Sequence, residues 1–279
     1  LARGEYIAFM DSDDTIEPEM LSALYEKAKE GDFDWVMCDV RIRYVEEERE
    51  VEVPSYPREE VDLVIDDIYN HGYEDSLIIQ DFIPGDDSFM RVVTNYSGED
   101  GKVRLMCVGH VLLEEHTRHG IGNHAVIITE EAPELCEKLR AFLEDIKFTG
   151  FSNFDVKYDQ RDGKFKVFEI NCRQGRSNYY VTGAGHNLAK YLVEDVIEHK
   201  PCALTMTQNR HLWWVIPPKV AYDYVNPRYH QEMRALERAN AAVNPLFYRP
   251  DNGLMHKLRI LRGQHRYVGW YASCMEKVK

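Results

Sequence analysis

The stretch FSNFDVKYDQRDGKFKVFEINCR, residues 151–173, decides the fold of this chain. Phe151 to Tyr158 and Lys164 to Cys172 both alternate polar and apolar residues with the period of a half-buried strand. Arg161-Asp162-Gly163 suits a three-residue hairpin loop with Gly163 in the left-handed position. Pairing around that loop sets Gln160 against Lys164 and Asp155 directly opposite Glu169. Directly opposed residues have β-carbons roughly 4.5–5.5 Å apart, and like charges there destabilise the pair. Two carboxylates so placed call for a cation between them. Asn171 and Arg173 follow Glu169 at steps of two and share its face, while Phe168, Ile170 and Cys172 are expected to point the other way, into a core. Asp155, Glu169 and Asn171 are therefore candidate metal ligands, a hard-oxygen set of the kind magnesium uses while keeping substrate phosphates in its shell. On spacing alone the alternative is a surface hairpin with scattered charges.

Working outward, Ala132 to Ile146 reads as a helix before the hairpin, and Asn187 to His199 as one after it. Upstream, Val61 to Asn70 reads as a short helix closed by His71-Gly72, and Leu77 to Phe82 as a strand. Ser88 to Ser97 and Lys102 to His110 form a strand pair around Gly98-Glu99-Asp100-Gly101. A polar loop, Glu114 to Gly122, precedes a strand at Asn123 to Thr129. Glu46 to Glu60 loses apolar content, carries a run of acids with Pro54 and Pro57, and gives the best linker in the chain, at 54–60. Before it, Glu5 to Met10 reads as a strand ending at Asp11-Ser-Asp13-Asp14, Glu19 to Glu30 as a helix and Phe33 to Val45 as another strand. The last eighty residues are aromatic-rich and read as mainly helical. The expected organisation is a small α/β segment at 1–53, an α+β domain of antiparallel sheets with flanking helices at 61–200, and a helical extension at 201–279.

Residues 61–200 resemble the later part of an ATP-grasp ligase. Asp155, Glu169 and Asn171 match the acid and E-x-N positions that bind magnesium in that family, and Arg173 matches the basic residue that follows in several members. The run Leu77-Ile-Ile-Gln80-Asp-Phe-Ile-Pro-Gly85-Asp-Asp87 resembles the hinge between the two lobes. By that resemblance Gln80, Asp81 and Phe82 meet adenine and Asp87 takes the ribose hydroxyls. The runs IIQDFIPGDDSFMRV and FEINCRQGRSNYYVTGAG look most like carboxylate–amine ligases of the D-aspartate ligase type, which form an acyl phosphate that an amine then displaces. The resemblance implies ATP and Mg2+ (or Mn2+) as cofactors and a small carboxylate and amine as substrates, with Arg173 as the catalytic candidate. Arg91 and Lys157 are candidates for phosphate contact, although an arginine or lysine lining the sheet is the plain reading of each. Arg176, in the loop just past the metal strand, is a candidate for the acceptor substrate, since a guanidinium fork matches a carboxylate. The N-terminal domain and lysine-bearing half-lobe of complete members have no room before Val61. The expectation is the second half of a ligase, with half of an ATP cleft.

Residues 1–50 resemble instead the middle of a family 2 glycosyltransferase of the GT-A fold. There ARGEYIAFMDSDD is the strand leading to the D-x-D motif, with Asp11 and Asp13 as alternative ligands for a metal and a sugar-nucleotide diphosphate. Acids at the carboxyl end of a strand suit a ligand crevice, and equally a helix N-terminus, where the dipole favours them. That leaves two further readings: a glycosyltransferase fragment, and a remnant or structural partner that binds neither nucleotide.

Composition bounds the rest. The 279 residues are 44% hydrophobic and 29% charged, enough for a sizeable core. No apolar run approaches a membrane span and no secretory segment opens the chain. Six cysteines without metal-like spacing read as reduced thiols, mostly buried, and point to the cytoplasm. The net charge of −14 argues against nonspecific nucleic-acid binding. It is unevenly spread: residues 1–100 hold 28 acids against 8 Lys/Arg, and residues 201–279 hold 5 against 12. The basic C-terminal segment reads as a solvated helix face or as a surface for an anionic partner. His110, His116 and His119, with Arg118, read as a solvated loop or a cover over phosphates. Trp213-Trp214 reads as packing. Oligomeric state is not legible.

Overall fold

The computed structural model describes residues 61–70, 82–117, 120–248 and 253–278. The chain divides into two compact units, Leu1–Phe82 and Ile83–Lys279. In the first, the described element is helix α1 (Val61–Asn70), at the bounds its periodicity predicts. Asp11, Asp13, Gln80 and Asp81 lie outside the described residues, as do the expected strands at 5–10 and 33–45 and most of the one at 77–82.

The second unit is built on one mainly antiparallel sheet. Its elements are β1 (Met90–Ser97), β2 (Val103–Glu114), β3 (His124–Glu130), α2 (Pro133–Asp145), β4 (Gly150–Asp159), β5 (Lys164–Asn171), α3 (Tyr179–Gly183) and α4 (Leu188–Leu192), which runs on into a π turn at Val193–Ile197. Then follow β6 (Thr205–Met206), β7 (Leu212–Trp214), α5 (Pro218–Tyr224), α6 (His230–Arg238), β8 (Ala242–Val243) and α7 (Leu254–Cys274). The strands lie in the order β5-β4-β1-β2-β3-β7-β8, with β6 parallel to β2. The C-terminal segment is helical over α5, α6 and α7, as its sequence suggests. It also adds three short strands to the sheet, which periodicity cannot find in pieces of two or three residues. Trp213 and Trp214 pack on β7, 2% and 5% exposed. The expected strand from Ser88 starts at Met90, because Asp86 caps a short 3-10 turn at Asp87–Phe89 by accepting from Ser88 N at 3.0 Å.

Each face of the sheet has its own core. On one, Val93, Met106, Val108, Phe154 and Val156 pack under Leu135, Cys136, Leu139 and Leu143 of α2, whose apolar residues fall at helical spacing. On the other, Val92, Tyr96, Leu105, Cys107, Val111 and Ile127 pack with Tyr180 and with Tyr271 of α7. Asp155 points to this second face, since its neighbour across the pair with β1 is Val92.

The β4–β5 hairpin pairs Asp155 with Glu169, as the spacing predicts, but by a different route. Asp159, not Gln160, faces Lys164, so the loop holds four residues, closed by Gly163 N donating to Asp159 O at 2.8 Å with Gly163 at φ 69°. The register then shifts between Val156 and Asp155, and Phe168 is the extra residue of a β-bulge. The bulge reverses the side-chain parity beyond it. Lys166 opposite Lys157, Glu169 opposite Asp155 and Asn171 opposite Asn153 therefore share one face, and Val167 and Ile170 share the other with Val156 and Phe154.

The expected burial of Phe168, Ile170 and Cys172 is not found. Phe168 is 37% and Ile170 46% exposed, and Cys172 is exposed too. The cause is that β5 lies at the end of the sheet order, past the reach of α2. Of the described cysteines only Cys107 and Cys136 are buried. Phe154, 1% exposed, is the largest side chain between sheet and α2. Phe154→Ala should cost about 3–5 kcal/mol, read as a lowered urea midpoint with an unchanged slope.

Candidate functional site

Four sequence-distant elements meet on the Asp155 face: the end of β2 with the loop after it, the start of β3, the β4–β5 pair and the loop following β5. His124, at the start of β3, sits between two acids. Its Nε2 lies 3.3 Å from Asp155 Oδ1, and its Nδ1 lies 3.5 Å from Glu114 Oε1, an ion-pair separation rather than a good hydrogen bond. Burial alone would lower the imidazole pKa, but the two carboxylates outweigh it and raise it to about 9. His124 therefore carries a proton at neutral pH and offsets part of the negative charge of Asp155 and Glu114.

Glu169 Oε1 accepts from Asn171 Nδ2 at 3.0 Å, which turns the Asn171 amide oxygen outward from that bond. Each carboxylate keeps a second oxygen for a cation. Among the described residues no three His, Cys, Asp or Glu side chains are grouped to hold a metal. The donor set that fits is two carboxylates with one amide oxygen, completed by oxygens from elsewhere, which is how magnesium is usually held. Arg173 continues from this strand and donates from Nη1 to Gln174 O at 3.2 Å. Lys157 stands on the same face as Asp155, opposite Lys166.

Asp87 lies at the other end of the site. Its carboxylate accepts from Glu114 N at 2.8 Å and contacts His116 Nε2 at 2.7 Å, and that hydrogen bond raises the His116 pKa against the opposing effect of burial. Arg91 does not point at open space. It pairs with Glu130 and donates from Nη1 to Ser88 O and Met90 O at 3.1 and 2.8 Å, bracing the turn that carries Asp87. Phe82 is 65% exposed. His110 is buried with Nε2 2.8 Å from Ser88 O, so of His110 and His116 only His116 is exposed. Arg118 and His119 lie outside them.

Below the carboxylate pair runs a buried polar chain. The Thr94 hydroxyl lies 2.7 Å from Asn153 Oδ1 and 3.0 Å from Asn178 Oδ1. The Tyr180 hydroxyl, fully buried, donates to Cys107 O at 2.7 Å and receives Thr94 N at 3.2 Å. Asn153 is the cross-strand partner of Asn171, so this chain ties the end of β5 to α3. The bonds made here favour one geometry, although Asn178 Nδ2 is left without a hydrogen-bond partner among the described residues.

Arg176, the candidate for the acceptor substrate, is held by Glu115. Its Nη1 donates to Glu115 Oε2 at 3.0 Å while Tyr267 of α7 donates to Glu115 Oε1 at 2.8 Å. Burial and this bond raise the Tyr267 pKa to about 12, so it remains a donor. Gly120 closes over the same carboxylate, where a β-carbon would stand 1.9 Å from Oε2. Tyr271, one turn on, donates to Glu114 O at 2.9 Å.

Sequence reasoning missed His124, Glu114, Glu115 and Tyr267. Each is far in sequence from Asp155 and none sits in a recognisable motif. The only available signal was an acidic pair directly before a polar loop. Glu115→Ala strips Arg176 and Tyr267 of a charged acceptor and should destabilise the unit by about 1.5–3 kcal/mol, and Thr94→Val by about 1–3 kcal/mol through the orphaned Asn153 and Asn178 amides. Thermal unfolding measures both, and a change below half a kcal/mol in either would contradict the contacts described.

Residues 1–91 match the glycosyl transferase family 2 model. The chain is 42% identical over 217 residues to D-aspartate ligase of Enterococcus faecium (strain Aus0004), a match covering 76% of this chain and 52% of that protein. It thus spans about half the length of this curated relative. A match so long reaches back past residue 91, so the two overlap. Among solved structures, the phosphoribosylaminoimidazole carboxylase ATPase subunit from Aquifex aeolicus is 16% identical, with a TM-score of 0.36 over 44% of this chain and 36% of that one. N5-carboxyaminoimidazole synthetase from Staphylococcus aureus, complexed with ADP, is 13% identical, with a TM-score of 0.34 over 44% and 33%. Likenesses of that size leave the fold to rest on the sheet itself. In sequence, then, the C-terminal part of the chain is homologous to D-aspartate ligase, and its first 91 residues match glycosyl transferase family 2.

Proposed function

We propose that this protein is an ATP- and magnesium-dependent ligase that joins a carboxylate to an amine through an acyl phosphate. The observation that carries the reading is the Asp155–Glu169 pair, set directly opposite on β4 and β5 within a region homologous to D-aspartate ligase. Asp155, Glu169 and Asn171 hold the magnesium ion, which when bound neutralises charge on the terminal phosphates of ATP. His124 orients Asp155 and limits the repulsion between the two carboxylates. Asp87, at the start of its turn, is the candidate for the ribose hydroxyls, and Gln80, Asp81 and Phe82 are candidates for the adenine by resemblance alone. Lys157 faces the phosphates from β4, and Arg91 braces the turn beside Asp87.

In the reaction a substrate carboxylate oxygen attacks the γ-phosphorus and ADP leaves. A neutral amine then attacks the acyl carbon, phosphate leaves and the amine gives up a proton. Arg173 stabilises charge on the transferring group, and Arg176, held by Glu115, orients a carboxylate by its guanidinium fork. D-Aspartate is the first carboxylate to test, by similarity to the relative. The use of ATP and six cysteines without a disulfide-like spacing support a cytoplasmic setting for the reaction.

Calorimetric titration with ATP and magnesium should show saturable binding to the wild type and none to Glu169→Ala. No binding at millimolar ATP overturns the reading. A second reading rests on the match at residues 1–91: a sugar-nucleotide site with Asp11 and Asp13 on its metal. Binding of a sugar nucleotide that is lost in Asp13→Ala, beside unchanged silence toward ATP, would favour it.

A further inference from the structure

Helix α7 presents two faces of opposite character. One face is fixed to the unit: Gln264 Nε2 donates to Val215 O at 2.7 Å, and Tyr267 and Tyr271 donate to Glu115 Oε1 and Glu114 O. These anchors all lie in the second half of the helix. The first half exposes large apolar side chains, with Leu254 74%, Leu258 51% and Leu261 54% exposed. Their spacing of i, i+4 and i+7 makes one continuous stripe. Beside it runs a second stripe, Arg259, Arg262 and Arg266 at i, i+3 and i+7, with Met255 on the same row, and Lys257 flanks the leucines on their other side. The helix contains no acid, and among the described residues none of these four cations pairs with one. Just before the helix, Leu246, Phe247 and Tyr248 are 40%, 45% and 52% exposed.

We infer that the first half of α7 docks on the anionic phospholipid surface of a bilayer leaflet, lying in the interface with Leu254, Leu258 and Leu261 turned into it. A row of leucines beside a row of arginines is the pattern of a helix that lies in the headgroup region, with apolar side chains below and guanidinium groups at the phosphates. Charge decides between the possible occupants. A second copy meeting through the leucine row brings two arginine rows together with no acid on either helix to offset them. A nucleic acid satisfies the arginines and leaves the leucines in water. An anionic leaflet satisfies both. The chain as a whole carries a net charge of −14 and its acidic parts are repelled by such a surface, which leaves this basic segment to face it. Among the described residues no helix is long and apolar enough to cross a membrane, so the contact is peripheral. It does not depend on the ligase reading.

Co-sedimentation of the full chain with vesicles tests it. Binding is expected to vesicles of phosphatidylcholine with about a third phosphatidylglycerol, and not to phosphatidylcholine alone, and should weaken as salt shortens the reach of charge. Arg259→Gln with Arg262→Gln should lower partitioning about 30-fold, from about 1 kcal/mol per basic residue near an anionic surface. Leu258→Glu with Leu261→Glu should abolish it. Both pairs are exposed, and an unchanged thermal midpoint confirms that each variant is folded. The inference fails if the wild type ignores anionic vesicles or binds neutral ones equally. It also fails if the leucine pair leaves vesicle binding intact, if that pair instead dissociates a dimer seen by sedimentation, or if duplex DNA removes the protein from vesicles at equal charge.

Discussion

Asp155 and Glu169 are held opposite each other on neighbouring strands, an arrangement that a sheet resists when both are ionised. Two features let it stand. The bulge at Phe168 sets Glu169 against Asp155 and turns it to the same face. His124, charged and enclosed by Asp155 and Glu114, supplies a buried positive charge beside Asp155. The remaining architecture serves that geometry. β5 sits at the sheet edge with its carboxylate reachable, while β4 is locked between β5 and β1.

The support beneath the pair is polar rather than apolar. Thr94, Asn153, Asn178 and Tyr180 exchange hydrogen bonds in a space where an apolar side chain would leave several groups unsatisfied. Glu115 does the same for the loop beyond β5, tying Arg176 to α7 through Tyr267. The C-terminal helix is thereby part of the site's frame at one end and an outward basic surface at the other. A loop anchored to a distant helix gains precision at the cost of tolerance, which Gly120 shows, since a β-carbon there would stand 1.9 Å from Glu115 Oε2 and force that side chain to move.

Much of this was legible beforehand where the signal is local. Helix α1 and helix α2 follow from apolar spacing and from Pro133 at a helix start. The Asp155–Glu169 opposition follows from counting around Gly163. What escaped has a common cause. The loop of four and the bulge cancel in the count, so the right pair emerged from the wrong register. β6, β7 and β8 are too short for periodicity. The exposure of Phe168, Ile170 and Cys172 depends on β5 being an edge, which no feature of β5 itself announces.

The sequence by itself determined the residue types at the site, their order, and the alternation that puts Glu169, Asn171 and their companions on one side of a strand, because those are properties of neighbours along the chain. Only the tertiary structure decided that His124 charges the space beside Asp155, that Glu115 holds Arg176, that Arg91 is spent on Glu130, and that α7 turns its leucines outward. Those contacts join residues tens to more than a hundred positions apart. Their partners are fixed by sheet order and helix docking, which no local pattern encodes.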